Sequence, residues 1–187
     1  MKNFYLLLAL TCVIMQVRAQ KFYTDIDKQE PTDRSYIKPS EFRTIELNLS
    51  ELSTLLTAAP HEKNTTPIDS ESIISIPFPD GTEQLFSFVE FDMMEASLQE
   101  KFPGIKTYLG QGITDPTARI YFDKTAVGFH AMIIGKHGTT FIDPFFLGNP
   151  SICISYSKDS FYATNQKRFE ESDPISSTPA DLGKEVK

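Results

Sequence analysis

Ile74-Ser75-Ile76-Pro77-Phe78-Pro79-Asp80-Gly81-Thr82-Glu83-Gln84-Leu85-Phe86-Ser87-Phe88-Val89-Glu90-Phe91 holds two alternating runs separated by a turn signal. Ile74, Ile76 and Phe78 recur every second residue, the period that puts side chains on one face of a strand. Pro79-Asp80-Gly81 interrupts the run, and an Asp-Gly pair favours the positive φ angles of a primed hairpin turn. A second alternating run, Leu85 to Phe91, follows. The stretch predicts a β-hairpin and sets the expectation for the chain: a β-rich α+β domain, mostly an antiparallel sheet or meander, with two short helices.

Downstream, Asp92-Met93-Met94-Glu95 has the spacing of a capping box, which predicts a helix to about Lys101, where Pro103-Gly104 ends it. Ile105 to Leu109 reads as a strand, and Gly110-Gln111-Gly112 and Asp115-Pro116 as turns. Four further strands are expected at Ala118 to Phe122, Ala126 to Ile134, Thr139 to Ile142 and Ile152 to Tyr156, with a turn at Gly135-Lys136-His137-Gly138. Upstream, Phe42 to Leu49 alternates with Ile45, Leu47 and Leu49 on one face. Ser50 then caps a short helix whose stripe is Leu52, Leu55, Leu56 and Ala59, and Pro60 stops it.

The ends have a different character. Lys2, an apolar run from Phe4 to Met15 and Val17-Arg18-Ala19 form the pattern of a secretory signal peptide over residues 1–19, too short to span a bilayer. Export makes the expected location secreted or extracytoplasmic. Residues 20–41 read as an irregular polar leader and 163–187 as a disordered tail or linker, both too polar to offset ordering entropy. The folded domain is then 42–162. The net charge of −7 disfavours nucleic acid and anionic membranes as partners. Cys12 lies in the signal segment, so the mature chain keeps Cys153 alone and its stability must come from packing, for which 15 Phe and 7 Tyr supply material.

No catalytic motif completes. His61-Glu62 begins the two-histidine zinc-peptidase pattern, but Thr65 occupies the place of the second histidine. His130 and His137 lack an evident third ligand. Gly110-Gln111-Gly112 starts like a dinucleotide loop, but Asp115 stands where the third glycine belongs. Asp92 and Glu95 are explained by capping rather than as paired catalytic carboxylates. Neither a cofactor nor a metal is expected. Asn48-Leu49-Ser50 and Asn64-Thr65-Thr66 fit a glycosylation acceptor pattern.

Several pieces nevertheless recur in a known order: Leu55-Leu56-Thr57-Ala58-Ala59-Pro60, the hairpin with Pro79, Asp80 and Gly81, Met93-Met94, Phe102-Pro103-Gly104-Ile105-Lys106-Thr107-Tyr108-Leu109-Gly110-Gln111-Gly112-Ile113 with Asp115-Pro116, Gly128-Phe129-His130-Ala131, and Phe141-Ile142-Asp143-Pro144. In that order they resemble the amino-terminal pro-region of secreted bacterial reprolysin-like (adamalysin-type) zinc metallopeptidases, over a little more than half the chain. The segment from Phe102 to Pro116 carries most of the specificity.

The resemblance implies a non-catalytic module that assists folding of a metallopeptidase catalytic domain or holds it latent, in cis or in trans. The sequence stops at Lys187, before any catalytic zinc motif, consistent with a precursor fragment, a free-standing pro-domain or a relic with a different partner. The matching positions Pro79, Asp80, Gly81, Pro103, Lys106, Tyr108, Gly110, Gly112, Asp115, Pro116, Gly128, His130, Asp143 and Pro144 are expected to serve structure or interface. Cys153 is the one thiol able to cap zinc, set against a buried structural role. The alternative reading is a secreted module that binds an extracellular protein or surface polymer, which exposed rings among Tyr108, Tyr121, Phe129, Phe145 and Phe146 would favour.

Overall fold

The computed structural model describes residues 21–164; the signal segment and nearly all of the tail expected from the sequence lie outside them. Nine strands, β1 (Tyr23–Asp25), β2 (Arg43–Leu47), β3 (Ile73–Pro77), β4 (Glu83–Phe91), β5 (Thr107–Gly112), β6 (Arg119–Lys124), β7 (Phe129–Gly135), β8 (Gly138–Phe146) and β9 (Asn149–Ser157), form one sheet in the order β1-β2-β9-β8-β7-β6-β5-β4-β3. Every neighbouring pair in that order is antiparallel. From β3 to β9 the chain is an uninterrupted meander, and β1 and β2 add to its last strand.

The sheet curls. Phe22 beside β1, Ile74 of β3, Phe88 of β4 and Phe129 of β7 are fully buried in one cluster, which a flat nine-stranded sheet could not bring together. The two ends are tied by side chains: Lys21 Nζ meets Glu83 Oε1 at 2.6 Å, the Ser155 hydroxyl donates to the Pro77 carbonyl at 2.8 Å, and Arg43 Nη1 donates to the Phe78 and Thr82 carbonyls at 3.1 and 2.9 Å. Helix α1 (Leu49–Thr57) packs into the curl through Leu52 and Leu56, and the Tyr108 hydroxyl donates to the Leu56 carbonyl at 3.3 Å. Two short helices complete the fold, α2 (Ala96–Gln99) and α3 (Lys158–Thr164).

A smaller apolar cluster covers the outer face of β8 and β9. Phe145, Ile154 and Tyr156 are buried there beneath Ile37, Phe42 and Phe161.

Several sequence expectations need correction. Residues 20–41 are not irregular throughout: Tyr23–Asp25 pairs with β2, and Phe22 is wholly buried, because the curled interior has room for one more ring. The segment that follows is held by the Tyr36 amide on the Phe145 carbonyl at 3.1 Å and the Leu147 amide on the Arg34 carbonyl at 2.8 Å. A third helix, α3, begins ahead of the expected tail and is anchored by Phe161. The cap of α1 is Asn48, whose Oδ1 accepts from the Glu51 amide at 3.2 Å, so Ser50 is inside the helix.

The turn of the β3–β4 hairpin is not primed. The Gly81 amide donates to the Phe78 carbonyl, the Phe78 amide to the Thr82 carbonyl, and Gly81 alone takes a positive φ, +88°. This is a three-residue loop, a type I turn closed by a glycine bulge, in which Pro79 fits the first turn position.

Gly110 and Gly112 stand within β5 rather than in a turn. A Cβ on Gly110 would lie 2.6 Å from Ile120 Cγ2, and one on Gly112 would lie 2.2 Å from the Asp115 carbonyl oxygen, so glycine here serves close packing.

Asp92 caps nothing. It follows β4 directly and binds His61 Nε2 at 3.0 Å and Lys63 Nζ at 2.7 Å, which leaves α2 as a single turn opened by Glu95 carbonyl bonds.

Candidate binding site

On β6, β7 and β8 the interior positions are taken by Ile120 and Phe122, Phe129, Ala131 and Ile133, and Ile142, so the alternate residues face outward. Register then lays two rows across these strands. Asp123 pairs with His130, and His130 Nδ1 lies 2.8 Å from Asp143 Oδ1. Two residues along, Tyr121 pairs with Met132 and Met132 with Phe141. One row is polar and the other apolar. Together with Met93 and Thr107 they line a shallow hollow of about 240 Å³.

The polar row is unevenly satisfied. Asp143 holds His130 with Oδ1 and accepts from the Tyr156 hydroxyl with Oδ2 at 2.7 Å. That hydrogen bond and the nearby carboxylates raise the His130 pKa above the ordinary imidazole value, although burial opposes them. Burial, then the Asp143 charge and hydrogen bond, pushes the Tyr156 hydroxyl upward. Asp123 Oδ1 is buried without a donor among the described residues. Desolvation raises the pKa of that carboxyl, Asp143 adds to the effect and His130 opposes it.

The arrangement offers an unfilled acceptor, an imidazole whose Nδ1 is committed to Asp143, and flat apolar walls. The Thr107 hydroxyl is already given to the Phe91 carbonyl at 2.5 Å. Among the described residues no three His, Cys, Asp or Glu side chains stand together as a metal site. His137, in the β7–β8 turn, is separated from His130 by the length of β7.

Most of the positions singled out by the resemblance serve the scaffold. Asp80 stabilises its turn by accepting from Thr82 N and Oγ1 at 2.9 and 2.6 Å, and Asp115 does the same with Thr117 at 3.1 and 2.6 Å. The Pro116 carbonyl accepts from Gln111 Nε2. Gly128 has a φ of +148°, and a Cβ there would lie 2.4 Å from Pro144 Cγ, which links those two positions physically. Lys106 pairs with Glu90 at 2.7 Å, Tyr108 is core, and Pro103 is exposed after α2.

Cys153 is fully buried on the interior face, and burial followed by the Asp143 charge pushes its thiol up to about 12, unfavourable for the thiolate that zinc requires. Tyr108, Phe129 and Phe145 are buried in the two apolar clusters and Phe146 packs half-buried against the outer one, while Tyr121 is half-buried on the outward row that lines the hollow.

His130 and Asp143 stand out in the sequence without any sign that they meet, and Asp123 and Tyr156 belong to no motif there. The available signal is strand alternation: both of the latter share the outward parity of their neighbours.

Compared with protein-family models, curated proteins and solved structures, the chain matches none.

Proposed function

We propose that this chain is a secreted, non-catalytic module that docks on the catalytic domain of a reprolysin-like zinc metallopeptidase, assisting its folding or holding it latent. The observation that carries the reading is the connection between β4 and β5. Met93, Leu98, Phe102 and Ile105 are all exposed within thirteen residues, 59, 43, 51 and 37% respectively. So dense an exposed apolar run is characteristic of an interaction surface. Phe102 and Ile105 fall within the segment Phe102 to Pro116, where the resemblance to metallopeptidase pro-regions is most detailed, and Met93 and Leu98 lead into it. The loop is closed on itself by Gln99 Nε2, which donates to the Ile105 carbonyl at 3.1 Å, and Lys106 at its end pairs with Glu90 of β4.

The test is inhibition of a related reprolysin-like catalytic domain by the purified chain, read together with its yield on refolding in the chain's presence. Inhibition or improved refolding is expected, and the double substitution Leu98→Asp with Phe102→Asp should weaken either effect at least tenfold without moving the thermal midpoint. A protease left unaffected, with no complex on gel filtration, would count against this function.

A further inference from the structure

The two rows across β6, β7 and β8 are complementary to one kind of side chain. The polar row carries two carboxylates and one imidazole, so with both carboxylates ionised it is net negative whether or not His130 is protonated. No lysine or arginine among the described residues lies within ion-pair distance of Asp123 or Asp143. Lys124, the nearest cation in sequence, projects to the opposite face and donates to the Ser53 hydroxyl at 2.7 Å. Asp123 accepts no side-chain hydrogen bond from the described residues; its oxygen Oδ1 is shut off from water, so a donor in the hollow meets the carboxylate at its other oxygen, Oδ2. A carboxylate so placed gains from a charged donor more than an exposed one would.

The apolar row selects among donors. Tyr121 and Phe141 place aromatic rings at either side of Met132, one strand-pleat repeat from the carboxylates, about 7 Å by strand geometry. Both rows line the same hollow, so a cation held at Asp123 has these rings beside it. A guanidinium is planar, weakly hydrated and stacks on aromatic faces, whereas an ammonium is compact and strongly hydrated. Its aliphatic stem also matches the thioether of Met132. The hollow, about 240 Å³, is smaller than the roughly 300 to 1,000 Å³ typical of small-molecule sites and suits a side-chain head.

We infer that this hollow is a receptor for a single arginine side chain of a partner polypeptide, with the guanidinium on the open oxygen Oδ2 of Asp123 and the stem along the Tyr121–Met132–Phe141 row. The binding does not depend on what the partner is. It can therefore stand or fall separately from the metallopeptidase reading.

The experiment uses the full chain and N-acetyl-arginine N-methylamide, followed by NMR at the His130 ring and the Met132 methyl. Saturable shifts at both are expected. The citrulline counterpart keeps the shape and lacks the charge, and it should bind at least tenfold more weakly, as should the lysine counterpart. Asp123→Asn should cost at least tenfold in affinity for the arginine probe with no fall in thermal midpoint. The inference is overturned by absence of saturable shifts at His130 and Met132, by citrulline or lysine probes binding as well as arginine, or by a folded Asp123→Asn variant with unchanged affinity. The citrulline comparison is made on the unaltered protein and so does not depend on the variant folding.

Discussion

His130 Nδ1 and Asp143 Oδ1 meet at 2.8 Å across β7 and β8, and the other Asp143 oxygen is held by the Tyr156 hydroxyl at 2.7 Å. The carboxylate thereby joins three strands, β7, β8 and β9, through side chains alone. Because Asp143 binds the charged imidazole better than the neutral one, the His130 pKa is raised in the folded protein. A group whose pKa rises on folding stabilises fully below its unfolded value and loses that contribution as pH climbs through the folded value. The stability gap between the wild type and Asp143→Asn should therefore narrow from pH 5.5 to pH 8.5. Urea denaturation across that range measures it, and a gap independent of pH would show that His130 is not coupled to Asp143.

Asp123 has the opposite sign. Its carboxyl is raised by desolvation, so its negative charge opposes folding once the pH exceeds the unfolded value. Asp123→Asn keeps the shape and removes the charge, and should stabilise the protein at pH 7 by about 1 kcal/mol, the scale of an unpaired buried polar group. The gain should shrink as the pH falls below the raised folded pKa and vanish below the ordinary carboxylate value. A loss of stability at neutral pH would mean that Asp123 has a donor in solution.

These residues also mark the boundary of what the sequence made legible. Strand alternation was readable wherever one face is apolar and the other polar, hence the β3–β4 hairpin, β2 and the meander from β6 to β9. The curl was not readable, because it arises from side chains far apart in sequence, such as Lys21 with Glu83 and Ser155 with Pro77. The same non-local closure explains β1: Tyr23–Asp25 is too short to show a period, and it becomes a strand because β2 offers an edge and the interior takes Phe22. Asp92 misled for the reverse reason. Its local capping pattern was sound, but His61 and Lys63, thirty-one and twenty-nine positions away, bind it instead. The candidate site was half visible, since His130 and Asp143 stood out by resemblance while Asp123 and Tyr156 became neighbours only through register.

Glycine positions give a graded test of the packing. Gly110→Ala would place a methyl 2.6 Å from Ile120 Cγ2 and 3.1 Å from the Ser87 carbonyl oxygen, in the middle of the sheet. Overpacking of this kind costs about 1 to 3 kcal/mol. Gly128→Ala meets Pro144 at 2.4 Å and also forces a φ of +148°, so it should cost more than Gly110→Ala. Gly81→Ala, at φ +88° with open space around it, carries the backbone penalty alone, about 1 kcal/mol. Thermal midpoints should fall in the order Gly81, Gly110, Gly128, smallest loss first. An unchanged midpoint for Gly128→Ala would show that β8 does not pack against this glycine.

Phe22 decides whether the amino-terminal segment belongs to the folded unit. Its ring is fully buried, edge-on to Phe129 at 5.6 Å and to Tyr23 at 5.5 Å, while Tyr36 in the same segment is 45% exposed. Removing a buried phenylalanine ring leaves a cavity and costs about 3 to 5 kcal/mol. Phe22→Ala should therefore lower stability by that order, and Tyr36→Ala by much less, in urea denaturation at pH 7. Hydrogen exchange adds a local reading. Amides of β2, whose outer edge is covered by Tyr23–Asp25, should lose protection in Phe22→Ala before those of β6 and β7 do. Equal, small effects of the two substitutions would mean that β2 is the true edge of the sheet and that the segment ahead of it packs elsewhere.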